Sequence, residues 1–350
     1  MKKIAIFQYD LGVGGIQKSL INLLNNIDND KYMIDLYLFS DEIFFDISNF
    51  KNVNIIKMKK MGRASKLIPF KILYNLYKCK ITKKYDVSID FNSYSNECAL
   101  NALKVNSKKR IIWVHNDVIK KYENEFKYRL LWKLFKSKYY KFDSIVAVSS
   151  GAKDSFIKKT GMKKSAVHVI PNIIDSNEII MKSKDKCDLA LDRDFYNLVT
   201  VGRLCHQKGF DILIDYMKEI IELRPKTRLY IIGDGPDRLK LHKRIIDLNL
   251  DKNIFLLGSK KNPYKYMKEM DCFVLTSRYE GQGMVILEAK ILGLKIFITK
   301  NLEAYVENVK GSKNIVVDIV NAKKSVKKED LLISYNKSII EKVHNIFDGR

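Results

Sequence analysis

Asn197-Leu198-Val199-Thr200-Val201-Gly202-Arg203-Leu204-Cys205-His206-Gln207-Lys208-Gly209 is the stretch whose reading decides the architecture. Asn197–Val201 is short, apolar and β-branched, and reads as a strand. It runs directly into a loop with glycine at each end and two cations between, Arg203 and Lys208. In open parallel sheets, ligands sit at the carboxyl ends of the strands, so a loop in this position is where chemistry belongs. Arginine offers a fork of donors to a diphosphate, and lysine sets a point charge beside it.

The same pattern of strand, loop and helix repeats in both directions along the chain. Downstream, β-rich runs recur at Arg228–Ile232, Ile254–Leu257, Cys272–Leu275 and Lys295–Ile298. Upstream they lie at Lys3–Gln8, Met33–Phe39, Val53–Ile56, Val87–Asp90, Arg110–Val114 and Ser144–Val148, with helical patterns between. Strands separated by helices imply parallel sheets with right-handed crossovers. Between the two series, Asn172–Tyr196 gathers Asp, Lys and Ser, and its apolar periodicity fades. The fold class expected is α/β, with two doubly wound, Rossmann-like domains facing one another across a cleft. Their bounds are 1–172 and 196–330, with a hinge at 173–195 and a C-terminal helix at 331–350 whose candidate partner is the first domain.

Three further loops carry information. Tyr9-Asp10-Leu11-Gly12-Val13-Gly14-Gly15-Ile16 follows the first strand and opens a helix. Its glycines admit a close ligand, and the helix N-terminus suits phosphate. The dinucleotide pattern G-x-G-x-x-G fails at Gln17, so a tight turn explains the loop equally well. Gly233-Asp234-Gly235-Pro236 reads only as a turn whose proline can start a helix. In Ser277-Arg278-Tyr279-Glu280-Gly281-Gln282-Gly283-Met284-Val285-Ile286-Leu287-Glu288-Ala289, a loop carboxylate and a helical one are eight residues apart. Gly281 and Gly283 free the backbone, and the helix start offers amides to a phosphate. Glu288 is expected two turns deeper among apolar neighbours, where a carboxylate needs hydrogen-bond donors such as sugar hydroxyls.

On these residues the chain resembles the family-4 retaining glycosyltransferases of the GT-B fold, of the bacterial cell-surface polysaccharide type. The resemblance runs through Gly14-Gly15, Ile170-Pro171-Asn172, Gly202-Arg203…Lys208-Gly209, Gly233-Asp234-Gly235-Pro236 and Glu280…Glu288 with Gly293, and so spans nearly the whole chain. It implies transfer of a sugar from a UDP- or GDP-sugar to a glycan or lipid-linked acceptor, with retention of configuration and no required cofactor or metal. It implies catalytic roles for Glu280, His115, Arg203 and Lys208. Donor contacts fall to Gly14, Gly15, Arg203, Lys208, Gly258, Gly281, Gln282, Gly283, Met284, Val285 and Glu288. Arg203 and Lys208 would neutralise the departing diphosphate, Glu280 would hold hydroxyls of the moving sugar and Glu288 the ribose. Lys290, Leu294 and Gln282 depart from the usual Met, Pro and Phe, and Gln282 leaves the donor sugar open. A nucleotide-sugar epimerase or a glycan phosphorylase of the same fold is the alternative.

Composition bounds these readings. The 350 residues suffice for two domains, and 46% hydrophobic with 30% charged residues is a globular balance. No apolar run approaches the roughly 18 residues of a membrane span, and Met1–Phe7 reads as a strand start in place of a secretion signal. Five cysteines without C-x-x-C spacing argue against a disulfide scaffold or zinc site and fit a cytoplasmic protein. Asp28-Asn29-Asp30 and Asp192-Arg193-Asp194 read as turns, so no metal ligands are assigned. The net charge of +24 is concentrated: residues 51–150 carry 23 basic and 7 acidic groups. Within that block Phe70–Lys80 and Phe126–Lys136 interleave lysines with aromatics. Such helices either pack partly buried with lysines at the edge, or rest on anionic lipid at the inner face of the cell membrane. Nucleic acid is a remote third partner, since neither helix-turn-helix spacing nor an aromatic RNA-binding strand is present.

Overall fold

A computed structural model describes the chain except Asn49, Arg63, Ala64, Lys66, residues 325–327 and Arg350, so Arg63 and Lys66 of the basic block lie outside the described residues. The chain forms two units: Met1–Ile173 with Ser334–Arg350, and Ile174–Ile333.

The first unit begins with β1 (Lys2–Gln8), α1 (Gly15–Asn26), β2 (Tyr32–Leu38) and β3 (Val53–Lys57). It continues through α2 (Phe70–Leu76), β4 (Lys84–Asp90), α3 (Asn96–Lys104) and β5 (Asn106–Val114). Then come α4 (Val118–Asn124), α5 (Phe126–Phe135), β6 (Ser144–Ala147), α6 (Ser150–Thr160) and β7 (Val167–Val169). The strands pair in parallel in the order β3-β2-β1-β4-β5-β6-β7. β1 shows why these runs are strands: Ile4 and Ile6 enter one apolar layer, while Ala5 and Phe7 enter the opposite one. A parallel sheet covered on both faces requires that near-continuous apolar character. Helix starts follow side-chain caps, with Ser95, Asp117 and Ser149 accepting backbone N–H groups at α3, α4 and α6.

The second unit holds α7 (Ser176–Ser183), β8 (Tyr196–Val201), α8 (Phe210–Leu223), β9 (Thr227–Ile232), α9 (Arg238–Asp247) and β10 (Ile254–Gly258). It ends with α10 (Tyr264–Met267), β11 (Cys272–Leu275), α11 (Met284–Ile291), β12 (Lys295–Ile298) and α12 (Ile315–Val320). Its sheet order is β10-β9-β8-β11-β12, again parallel. The last helix, α13 (Ile333–Asp348), puts Ile339, Val343, Ile346 and Phe347 into the same layer as Ile4, Ile6 and Trp113. Lys2 Nζ meets Asp348 at 2.7 Å beside it.

Two elements were not legible beforehand. β7 is only three residues long, too short for a period to register. The stretch 173–195, expected as a hinge, contains α7, capped by Asp175 and in contact with α10 and α11. Both strand orders reverse beside the first strand of their sheet. β1 therefore lies between β2 and β4, and β8 between β9 and β11. These switch points are where ligands of such sheets bind. They bring the loop after β1 beside the loop after β4, and the loop after β8 beside the loop after β11.

Candidate active site

At the switch point of the second unit, two loops 72 residues apart in sequence are sewn together. Gly209 has φ +62°, and a Cβ there would lie 2.2 Å from the carbonyl oxygen of Thr276, so only glycine fits. Thr276 Oγ1 donates to the Gly209 carbonyl at 2.9 Å. The Arg278 N–H donates to Gln207 O at 2.8 Å, and Gln207 Nε2 donates to Tyr279 O at 3.1 Å. Arg278 binds Asp211 at the start of α8 through two bonds of 2.8 and 2.6 Å, which raises its own pKa and lowers that of Asp211. This frame delivers Lys208 Nζ to Glu280 Oε1 at 2.7 Å. Glu280 is buried, as is Gln282. A buried carboxylate needs such a partner, and Lys208 keeps two further N–H donors for a ligand.

Arg203, on the same loop, is exposed and pairs with no carboxylate among the described residues. Gly281 and Gly283 lead into α11, with Gly283 at φ +68° as its N-cap and Met284 and Val285 in its first turn. Glu288 does not lie two turns deep in an apolar layer, as expected. It is one turn into α11, half-buried, and accepts a hydrogen bond from Tyr264 Oη at 3.3 Å. The helix begins at Met284, later than the motif suggested, and α10 supplies the polar partner. At the neighbouring strand end Gly233 N donates to Gly258 O at 2.9 Å. Arg238 Nη2 reaches Leu256 O at 3.4 Å and so stands over the same edge. Arg238 and Tyr264 carried no signal in the motifs, because their place depends on β10 lying beside β9.

In the first unit, Gly14 and Gly15 open α1. Gln17, the residue that breaks the glycine pattern, closes the loop by donating Nε2 to Asp10 Oδ1 at 2.6 Å. Gly12 N donates to the same oxygen at 3.1 Å. A Cβ on Gly14 would sit 2.3 Å from Gln17 Oε1, so Gln17 occupies the room that glycine leaves. His115, just past β5, is buried against Phe91 and bonds Phe91 O through Nε2 at 2.7 Å. A carbonyl only accepts, so Nε2 carries the proton and Nδ1 the lone pair. Burial pulls its pKa down to about 4, and the ring is neutral at pH 7.

Two buried charged residues that the sequence did not disclose hold the loop that follows Phe91. Asp90, at the end of β4, accepts the N–H groups of Asn92 and Ser93 at 3.1 and 2.9 Å. Lys138 is fully buried and donates to Ser93 O at 2.6 Å. Burial pushes the Asp90 carboxyl up to about 6 and the Lys138 ammonium down, while their attraction opposes both shifts. The D-x-D triplets form turns: Asp30 N donates to Asp28 Oδ1 and Asp194 N to Asp192 Oδ1, both at 3.0 Å.

The chain is similar in sequence and fold to known glycosyltransferases. Residues 13–178 match the family model described as Glycosyltransferase Family 4, and residues 181–345 match that described as Glycosyl transferases group 1. An uncharacterized glycosyltransferase of Methanocaldococcus jannaschii is 29% identical over 259 residues, 70% of this chain and 64% of that protein. The match thus spans just under two thirds of that relative. The N-acetylgalactosamine-N,N'-diacetylbacillosaminyl-diphospho-undecaprenol 4-alpha-N-acetylgalactosaminyltransferase of Campylobacter jejuni is 28% identical over 295 residues, 83% of this chain and 78% of that one. Among solved structures, Anabaena HepE in complex with UDP and glucose superposes with a TM-score of 0.69 at 18% identity, covering 99% of this chain and all of that one. The glycosyltransferase WaaG of lipopolysaccharide biosynthesis gives 0.61 at 14% identity, covering 99% and 95%.

Proposed function

This chain belongs to glycosyltransferase family 4, and from that premise we propose that it moves a sugar from a nucleotide-sugar donor to a glycan or lipid-linked acceptor in cell-surface polysaccharide assembly. The observation that carries the reading is the Lys208–Glu280 pair, held at the β8/β11 switch point beside the exposed Arg203. Negative charge develops on the diphosphate as the bond from the anomeric carbon to its oxygen breaks. Cations already in place stabilise that charge more in the transition state than in the ground state. Glu280 accepts from hydroxyls of the moving sugar, and Glu288 from those of the ribose. The first amides of α1 at Gly14 and Gly15, and those of α11 at 281–285, are suited to phosphate or sugar oxygens. Gly258 and Arg238 border the nucleobase.

The reaction proceeds with retention. The acceptor oxygen attacks the anomeric carbon from the face the diphosphate leaves, and the acceptor proton passes to the departing phosphate oxygen. No metal or other cofactor takes part. Neutral His115 offers its Nδ1 lone pair to a sugar hydroxyl. UDP is favoured over GDP because Anabaena HepE was crystallised with it. The C. jejuni relative is a transferase acting on a diphospho-undecaprenol, which supports transfer over epimerisation or phosphorolysis and a lipid-linked acceptor over a free one. Five free cysteines fit work on the cytoplasmic side of the membrane. Incubation with UDP-sugars and an undecaprenyl-diphosphate-linked glycan should release UDP and give a product of unchanged anomeric configuration by NMR. An inverted anomer would overturn the mechanism, and release of GDP from GDP-sugars alone would overturn the donor assignment.

A further inference from the structure

The two basic, aromatic segments turn out to have two apolar faces each. α2 buries Phe70 and Leu73 in the first unit's core, and α5 buries Tyr128 and Trp132. That leaves a second stripe, which the core does not use. Ile72 and Leu76 on α2 are 48% and 74% exposed, Phe126 and Leu130 on α5 are 68% and 65% exposed, and Leu67, ahead of α2, is 71% exposed. Each helical pair is spaced i, i+4 and so forms a stripe along one side of its helix. α2 and α5 are neighbours in the fold, so the stripes belong to one surface region. Residues 67–84 and 126–142 contain no acidic residue. Their exposed Lys78, Lys80, Lys127, Arg129, Lys133 and Lys136 form no ion pair with a described carboxylate.

We propose that α2, α5 and Leu67 ahead of α2 form a docking face for an anionic lipid bilayer. The aliphatic and aromatic side chains enter the headgroup boundary, and the lysines and Arg129 meet lipid phosphates around them. Single exposed apolar residues are common on protein surfaces, but five on and just ahead of two touching helices that carry cations and no acidic residue match the composition of an interfacial membrane anchor. A nucleic acid would use the cations and stack on the rings, yet it offers nothing to Leu67, Ile72, Leu76 and Leu130. This inference deepens the reading of the acceptor as lipid-linked and rests on it.

The test is co-sedimentation of the full-length protein with vesicles of phosphatidylcholine alone or with phosphatidylglycerol at 30 mol% (about one lipid in three, enough for a strong surface potential). The expected result is binding to the anionic vesicles only. Binding should fall at least about tenfold in Leu76→Asp/Leu130→Asp, and similarly when Lys78, Lys80, Lys133 and Lys136 are changed to Glu. All these positions are exposed, and circular dichroism together with unchanged thermal stabilisation by UDP checks that the variants fold. Equal binding to both vesicle types, absence of binding to either, full retention by Leu76→Asp/Leu130→Asp, or tighter binding to single-stranded RNA would each overturn the proposal. Lys208→Ala should lose its response to UDP and still sediment like wild type. A wild-type protein that ignores UDP but binds anionic vesicles would count against the donor reading and leave the docking face standing.

Discussion

The strand-end regions of the two units are built from opposite materials. In the second unit, charge is held in formed ion pairs at a partly open edge, Lys208 with Glu280 and Arg278 with Asp211, next to Arg203, which pairs with no described carboxylate. The first has buried groups of shifted ionisation at its strand ends: a neutral His115, with Asp90 and Lys138 holding the loop after the Phe91 carbonyl that it bonds. On the function proposed above, the ion-paired edge of the second unit is the one that meets a diphosphate whose charge grows during reaction. The contrast also separates what each unit tolerates, because preformed ion pairs can rearrange around a ligand while buried dipoles are fixed by packing.

The largest test concerns packing. Phe347 closes the α13 face of the first unit against Tyr32 and Trp113, so Phe347→Ala should destabilise that unit by about 3–5 kcal/mol. In calorimetry, a first transition moved down by several degrees with a second left in place would sharpen the comparison. Movement of both together would break it.

Chemistry comes next. Lys208→Ala and Glu280→Gln should each lower kcat about 10²–10³-fold, the range expected for removing one group aimed at developing charge. If each loses less than about threefold, the second unit's loops are not where charge is stabilised.

Acidification probes the first unit. Because His115 has its pKa lowered in the folded state, the unfolded chain binds the proton more readily. The stability His115 contributes is present above pH 6.5 and lost as pH falls toward 4, by up to about 3 kcal/mol. Asp90 has the opposite sign: its raised pKa makes the folded state the better proton binder, so stability is lost as pH rises from about 4 to about 6. His168 and His344, also lowered by burial, add to the acid-labile side. In thermal melts between pH 4 and 7, His115→Gln should shift the balance toward stability in acid, and Asp90→Asn away from it. Parallel profiles for both variants and wild type would refute the buried-site description.

The smallest effect is assigned to Tyr264→Phe. It removes one hydrogen bond to Glu288, worth about 1 kcal/mol, and should raise the donor KM about fivefold with kcat unchanged. An equal loss in kcat would move Glu288 from ribose binding into the chemistry.

Among the described residues, eleven of the twelve strands were legible because buried parallel strands are runs of apolar, β-branched residues ended by glycine loops, and that pattern is local. β7 escaped for lack of length. The place of Arg203, Lys208 and Glu280 in loops just after β8 and β11 was legible for the same reason. Glu288 was misplaced by a turn, because the left-handed Gly283 delays the helix start, and a helix boundary is the least determined feature of a sequence.

Alternation along the chain therefore determined the class of fold, the number of sheets and the loops that matter. Only the tertiary structure decided that Lys208 meets Glu280, because a sheet order that skips from β8 to β11 joins loops 72 residues apart. It alone decided that His115 is neutral, since that follows from burial against Phe91. It also decided which face of α2 and α5 points outward, where a helical wheel apolar in most directions left either side able to face the core. Periodicity reports what each residue is next to along the chain. Pairing, burial and exposure depend on residues far away in it.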